Sequence, residues 1–488
     1  MRVPFLFTAF IFIFEAGLFA DEAIPMKWKS GGELRKPLAV GFNQEYLSLS
    51  DRSRNLSIWN ENGIPEVYAA LRTSILRFPG GTFSDFWNWQ TGKLADPIDH
   101  PRIAAPTAAW KKSIDADQKG FLSLCSQLQM EPLFVFNLYQ SEAPDQVEWV
   151  RSVNPAGKKL LVRKWELGNE LQLHRWHPGF KWATHMKSAD EYVERARGLG
   201  QKLLKEFPGI ELAANIDSPE HLFHEGQSER TDWNKAVAGA PDFYNAVSTH
   251  IYLYHQPDWK ASDAERSRWL CSLGDVVSEE LPGYSRKYFG EKPLWLTEAG
   301  LTGRESADDG LPEQVRWGFV FAEVNFFLRL CANPGPLTVL QKHAGITESG
   351  VRASGSLYAK GSKEMKGQLN MSGSILETLF EGVSKPHRIE TFDLKSAGTF
   401  PGNLRYKDRS FPNVLAVQME WEGKRRLFIL NRGENPVSLV MPEGVWTFRK
   451  LSADPASSIS EKVLAPASMD SSKIALLPFD LVVGDGKN

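Results

Sequence analysis

The sequence predicts an α/β protein in two parts, a (β/α)8 TIM barrel over residues 38–381 and a β-sandwich over 382–488, with residues 21–37 joining the sandwich as an edge. Three observations predict it. Eight short apolar runs alternate with helix-length segments, which is the pattern of a parallel sheet, and eight such units close a barrel. Polar residues collect at the C-terminal ends of those runs, where such barrels carry their chemistry. Beyond residue 381 the helical patterns stop, and strand-like runs follow, separated by Gly, Pro, Asn and Ser turns.

In chain order, the runs 38–42, 74–78, 132–136, 160–167, 210–214, 247–252, 294–297 and 337–340 supply the barrel strands. Helical spacing recurs at 64–71, 119–128, 189–204, 264–277, 314–330 and 366–379. Sandwich strands are expected at 413–421, 426–431, 437–441, 446–451 and 474–483. No low-complexity linker separates the two parts, so they are expected to pack closely.

Residues 1–20 read as a signal peptide: Arg2, then a nearly continuous apolar run over 5–14, then Ala20 at a cleavage position before Asp21. The run falls short of the roughly 20 residues of a comfortable membrane span, so a secreted or periplasmic protein without a membrane anchor after cleavage is expected; an uncleaved anchor is the other reading. Hydrophobic residues make up 42% and the net charge is only -2 without charged blocks, which argues against nucleic acid or an anionic membrane as the main partner. Cys125, Cys271 and Cys331 have neither a disulfide framework nor a zinc spacing and read as buried thiols with at most one bridge. His174 and His177 look like a metal pair but have no further ligand in register, so that loop reads as substrate-facing, and no metal or cofactor is expected.

The strand ends carry the functional signal. Lys164-Trp165-Glu166-Leu167-Gly168-Asn169-Glu170 closes the fourth run with a carboxylate, and Leu294-Trp295-Leu296-Thr297-Glu298-Ala299-Gly300 repeats the design in the seventh. Two carboxylates on two strand ends are what a glycosidase needs, one to protonate the leaving oxygen and one to attack carbon. Around them stand Arg77 before Pro79-Gly80-Gly81, Asn137 after the third run, His250 and Tyr252 on one side of the sixth, and Gln341 in the eighth. Glu166 shares a side with Glu170 by alternation and competes with it for the acid role. Glu45 is either a sugar ligand or an ion-pair partner. Trp87, Trp89, Trp176 and Trp182 are each either a sugar platform or packing.

Arg77-Phe78-Pro79-Gly80-Gly81, Trp165 to Glu170, His250-x-Tyr252 and the strand-end Glu298 together resemble glycoside hydrolase clan A, the retaining barrel enzymes. Within it the chain most resembles the family 51 α-L-arabinofuranosidases, then the heparanase-like family 79 and the xylosidase-like family 39. The resemblance implies Glu170 as acid/base, Glu298 as nucleophile, Asn169 on the neighbouring substrate hydroxyl, Arg77 and Tyr252 holding the nucleophile ionised, and His250 lining the site. Thr82 after Gly81 and Thr-Glu-Ala-Gly around Glu298 differ from the family 51 pattern.

The expected function is therefore a secreted retaining glycoside hydrolase acting on a polysaccharide or oligosaccharide, arabinofuranosidase-like in the first instance. The alternatives are a β-glucuronidase/heparanase-like or a galactan/agar-type enzyme of the same clan. A carbohydrate-binding protein on a retired scaffold is disfavoured, because both carboxylates, Arg77 and Tyr252 are retained.

Overall fold

The computed structural model describes residues 23–26, 33–44, 59, 64–94, 118–172, 188–219, 231–254, 261–302, 316–343, 371–402, 406–442, 444, 446–457, 467–469 and 473–487. Eight parallel strands form a closed barrel: β1 (Ala39–Asn43), β2 (Ile75–Phe78), β3 (Glu131–Val135), β4 (Lys164–Leu167), β5 (Glu211–Asn215), β6 (Ala246–Tyr254), β7 (Leu294–Thr302) and β8 (Leu337–His343). Each pairs with its neighbour in sequence, and β8 returns to β1 with Gln341 opposite Gly41. The connecting helices are α1 (Ile64–Ala70), α2 (Gln118–Leu128), α3 (Ala143–Val153), α4 (Ala189–Glu206), α5 (Thr231–Gly239), α6 (Asp263–Phe289), α7 (Trp317–Ala332) and α8 (Met371–Val383).

These strands are buried on both faces, which is why they read as apolar runs rather than as alternations. Ile75, Leu133, Val135, Ala213, Ala246, Trp295 and Val339 fill the barrel interior as one cluster. The strand expected at 160–167 begins only at Lys164, because the Asn154 side chain bonds the Val162 N–H at 2.9 Å and its C=O at 3.1 Å and holds that segment in the preceding loop. Helices α3 and α5 were not among the expected ones. In α3, Val147, Val150 and Val153 recur every third residue and are buried beside Trp149, but Glu148, Arg151 and Ser152 between them dilute the pattern.

The C-terminal strands form a six-stranded sheet facing a three-stranded one. The latter includes Ile24–Pro25, paired in parallel with Val437–Val440. The run expected at 474–483 is two strands, Lys473–Leu476 in the small sheet and Leu481–Lys487 in the large one, divided at Pro478 and at Phe479 with φ 61°. Alternation along the large sheet decides what lies on each face. Val414, Ala416, Leu427, Ile429 and Val482 face the small sheet, whereas Leu415, Val417, Phe428, Leu430, Leu481 and Val483 join the barrel's core.

A buried ion network crosses that junction. Asp275 of α6 accepts from Arg329 of α7 at 2.9 and 3.0 Å and from Arg432 of the sandwich at 2.7 Å. Burial pushes the Asp275 carboxyl up, but the charges of Arg432 and Arg329 outweigh it and hold the group below its usual range. Among the described residues no helix is long and apolar enough to cross a membrane, and Cys125, Cys271 and Cys331 are buried and free.

Asp275→Ala leaves two guanidinium groups buried without their counter-charge and is expected to cost about 3–5 kcal/mol in urea denaturation. Because the folded value is depressed, the contribution is present above the unfolded carboxyl pKa and fades as pH falls. The gap between wild type and variant therefore closes in acid.

Candidate active site

The C-terminal ends of β1, β2, β4, β6, β7 and β8 converge on one cluster with Arg77 at its base. The Arg77 side chain has no solvent access, and its donors go to four different residues. Nε pairs with Glu166, Nη1 donates to Asn43 Oδ1 and to Glu298 Oε1, both at 2.7 Å, and Nη2 donates to Asn169 Oδ1 at 2.9 Å. Glu166 also accepts from the Thr297 hydroxyl at 2.6 Å. It is completely buried against Arg77, so it anchors the guanidinium instead of facing the mouth. Gly80, with φ 68°, lies so close that a Cβ there would meet Asn43 Oδ1 at 2.4 Å, which accounts for one glycine of the motif after Arg77.

Glu298 is ringed by donors. Oε1 accepts from Asn43 Nδ2 at 3.0 Å as well as from Arg77, and Oε2 accepts from the Tyr252 hydroxyl. The Nδ1 atoms of His250 and His343 lie 3.6 and 3.4 Å from Oε2. Burial pushes the carboxyl up, but the charges of His250 and Arg77 and the Tyr252 hydrogen bond hold it below its usual range. It is therefore a carboxylate at any physiological pH.

Glu170 differs in exposure and in backbone. The chain leaves β4 through Gly168 at φ 96° and reaches Glu170 at φ 47°, a left-handed conformation uncommon for a residue with a side chain. The turn is held from both sides: the Tyr192 hydroxyl donates to the Leu167 C=O at 3.0 Å, and the Leu171 N–H donates to Asn215 Oδ1 at 3.0 Å. The Glu170 side chain is 26% exposed against 5% for Glu298, and its Oε1 lies 2.8 Å from His250 Nδ1. Asp85 stands nearby. Burial and the charge of Glu170 push its carboxyl well above the usual range, more than the Asn169 backbone N–H and Arg77 pull it down.

The cluster thus unites Arg77, Asn169, Glu170, His250, Tyr252 and Glu298. Asn137 is engaged elsewhere: its Nδ2 donates to the Trp87 C=O at 3.1 Å and its Oδ1 accepts the Gln140 N–H at 2.9 Å. Trp87 is buried between Phe78 and Trp149, and Trp89 donates to Asp145 at 3.2 Å. Gln341 is fully buried, with Nε2 donating to the Phe42 C=O at 3.3 Å. Glu45, Trp176, Trp182, His174 and His177 lie outside the described residues. Sequence reasoning gave no site role to Asn43, His343, Thr297 or Asp85; Asn43 and His343 end barrel strands, Asp85 follows one and Thr297 lies within β7, signals shared with many inert polar residues.

One ligand atom each from Glu170, His250 and Glu298 can be chosen so that all lie within 4.8 Å of one another. A cation there would sit against the Arg77 guanidinium and displace donors from a carboxylate already satisfied, so the donor set suits paired carboxylates better than a metal.

No family profile matches the chain. It is 28% identical over 288 residues to α-L-arabinofuranosidase C of Emericella nidulans, covering 54% of this chain and 51% of that one. It is 27% identical over 214 residues to an exo-α-(1→6)-L-arabinofuranosidase of Bifidobacterium longum, covering 40% and 38%. The chain thus spans about half the length, or less, of these curated relatives. In fold it is similar to a family 51 α-L-arabinofuranosidase of Bifidobacterium longum, with TM-score 0.70, 14% identity and coverage of 95% of this chain and 99% of that chain. The arabinofuranosidase of Thermotoga maritima follows at TM-score 0.64 and 15% identity, with 93% and 98% covered.

The chain is most like the family 51 arabinofuranosidases of clan A.

In this family 51-like site His250 reports on Glu298. Burial alone would lower the imidazole's pKa, yet the charges of Glu298 and Glu170 and the bond to Glu170 outweigh burial and Arg77 and raise it. In Glu298→Gln the His250 resonances are therefore expected to titrate at lower pH than in wild type by NMR. A raised folded pKa stabilises below the unfolded value and stops doing so as pH rises through the folded one. Wild type should accordingly lose more stability than the variant over that alkaline step.

Proposed function

We propose that the protein is a secreted glycoside hydrolase that cleaves by double displacement with retention of anomeric configuration, with an α-L-arabinofuranoside as its first substrate class. The observation that carries this reading is the approach of Glu170 and Glu298: an oxygen of each lies within 4.8 Å of the other, close to the roughly 5 Å separation of retaining enzymes and well short of the roughly 6.5–9.5 Å needed to seat a water between inverting carboxyls. The arabinofuranoside assignment draws on the names of the relatives in sequence and fold.

The two environments fit the two roles. Glu298, ionised and oriented by Asn43, Arg77 and Tyr252, attacks the anomeric carbon while Glu170 gives its proton to the departing glycosidic oxygen. The ester formed on Glu298 carries no charge. Glu170, now a carboxylate, takes a proton from water as that water attacks the same carbon and frees Glu298. Asn169 has Oδ1 on Arg77 and a buried Nδ2 without a protein partner, so it has a donor to offer a substrate hydroxyl.

Hydrolysis of a panel of aryl glycosides, with NMR of the first-formed sugar, tests the reading. Glu298→Gln should abolish turnover. Glu170→Gln should lose about 10²- to 10⁴-fold on substrates with poor leaving groups and less on activated ones. Azide should restore Glu170→Ala by forming a glycosyl azide of the substrate's own configuration. A first-formed product of inverted configuration would sink double displacement, and wild type inactive on every glycoside would sink the enzyme. Export is tested separately: N-terminal sequencing of the mature protein should begin at Asp21.

A further inference from the structure

His343, at the end of β8, touches the site without a role in the mechanism above. Its Nδ1 lies 3.0 Å from Asn43 Nδ2 and 3.4 Å from Glu298 Oε2, and its ring stands edge-on to Tyr252 at 5.6 Å and 83°. Asn43 decides which neighbour Nδ1 serves. The amide oxygen of Asn43 receives Arg77 Nη1 at 2.7 Å, and its nitrogen faces Glu298 Oε1 at 3.0 Å. Turning the amide over would set its oxygen against a carboxylate and its NH2 against a guanidinium, two repulsive contacts in a buried site. Its orientation is thereby fixed, and Nδ2 has one hydrogen for Glu298 and one for His343. A ring nitrogen that accepts carries no proton. His343 is then neutral, with its proton on Nε2.

We infer that His343 is a positioning residue for the nucleophile: as a neutral acceptor through Nδ1 it holds the Asn43 amide against Glu298. Among the described residues His343 faces Glu298 from β7 and Tyr252 from β6, with Arg77 of β2 reaching it through Asn43 of β1. Lys342, its neighbour in β8, is turned the other way, to Glu323 of α7.

The catalytic consequence rests on Glu298 being the nucleophile; the tautomer does not. On the full chain labelled with ¹⁵N-histidine, the His343 signals, assigned by their loss in His343→Gln, should show a protonated Nε2 and a bare Nδ1 at neutral pH. A proton on Nδ1 overturns the inference, whether or not any glycoside is cleaved. The second arm is kcat/KM on an aryl arabinofuranoside for wild type, His343→Gln and His343→Phe. Gln offers Asn43 a carbonyl in place of Nδ1; Phe offers nothing. His343→Phe should lose about tenfold more than His343→Gln, which retains the acceptor. Equal losses in the two variants would overturn the positioning role.

Discussion

A guanidinium with no access to water must give its N–H groups to protein, and Arg77, from its place on β2, gives them to three other strands and the turn after one of them: β1 through Asn43, β4 and its following turn through Glu166 and Asn169, and β7 through Glu298. Neither buried carboxylate is tolerable alone, since desolvation of an unpaired charge costs several kcal/mol or more. Arg77 also makes the site directional. Glu166 below and Glu298 above share one cation, but Glu166 is satisfied from Thr297 and shut off from the mouth, whereas Glu298 remains where a substrate could reach it.

The same constraint creates the asymmetry between the Glu298 and Glu170 carboxyls. Every donor near Glu298 favours its ionised form and outweighs a burial that would otherwise neutralise it. Glu170 stands one turn away on a left-handed residue, partly exposed, with an imidazole as its nearby hydrogen-bonding partner. His250 lies between them and senses both, since the charges of Glu298 and Glu170 raise its pKa against burial.

Much of the barrel was legible because strands buried on both faces leave continuous apolar runs; the glycine turn expected after Glu298 is instead strand, since β7 continues through Gly300 to Thr302. The cluster was legible only in part. Glu166 and Glu170 stand four apart after one apolar run, and alternation cannot separate them; what does is that β4 stops at Leu167 and the Gly168 turn takes Glu170 out of strand geometry. Asn43 and His343 are 300 residues apart and meet only because β8 closes against β1. Trp87 read equally as a sugar platform or as packing; Phe78 and Trp149 surround it, and nothing in the local sequence marks which tryptophans a distant helix will cover.

The sandwich contributes to the site by burying what the barrel cannot. All 16 residues of α7 are buried, and a helix apolar on every side needs partners on every side. One partner is the barrel wall; another comes from the C-terminal domain, where Trp317 donates to the Phe479 C=O at 2.9 Å and Arg432 reaches Asp275 and Asn325. The large sheet answers with a second apolar face, its odd-numbered residues from Leu415 to Met419 joining the barrel's core. A sheet buried on both faces is not a detachable module. It completes the packing of α7, whose Glu323 pairs with Lys342, the β8 residue between Gln341 and His343.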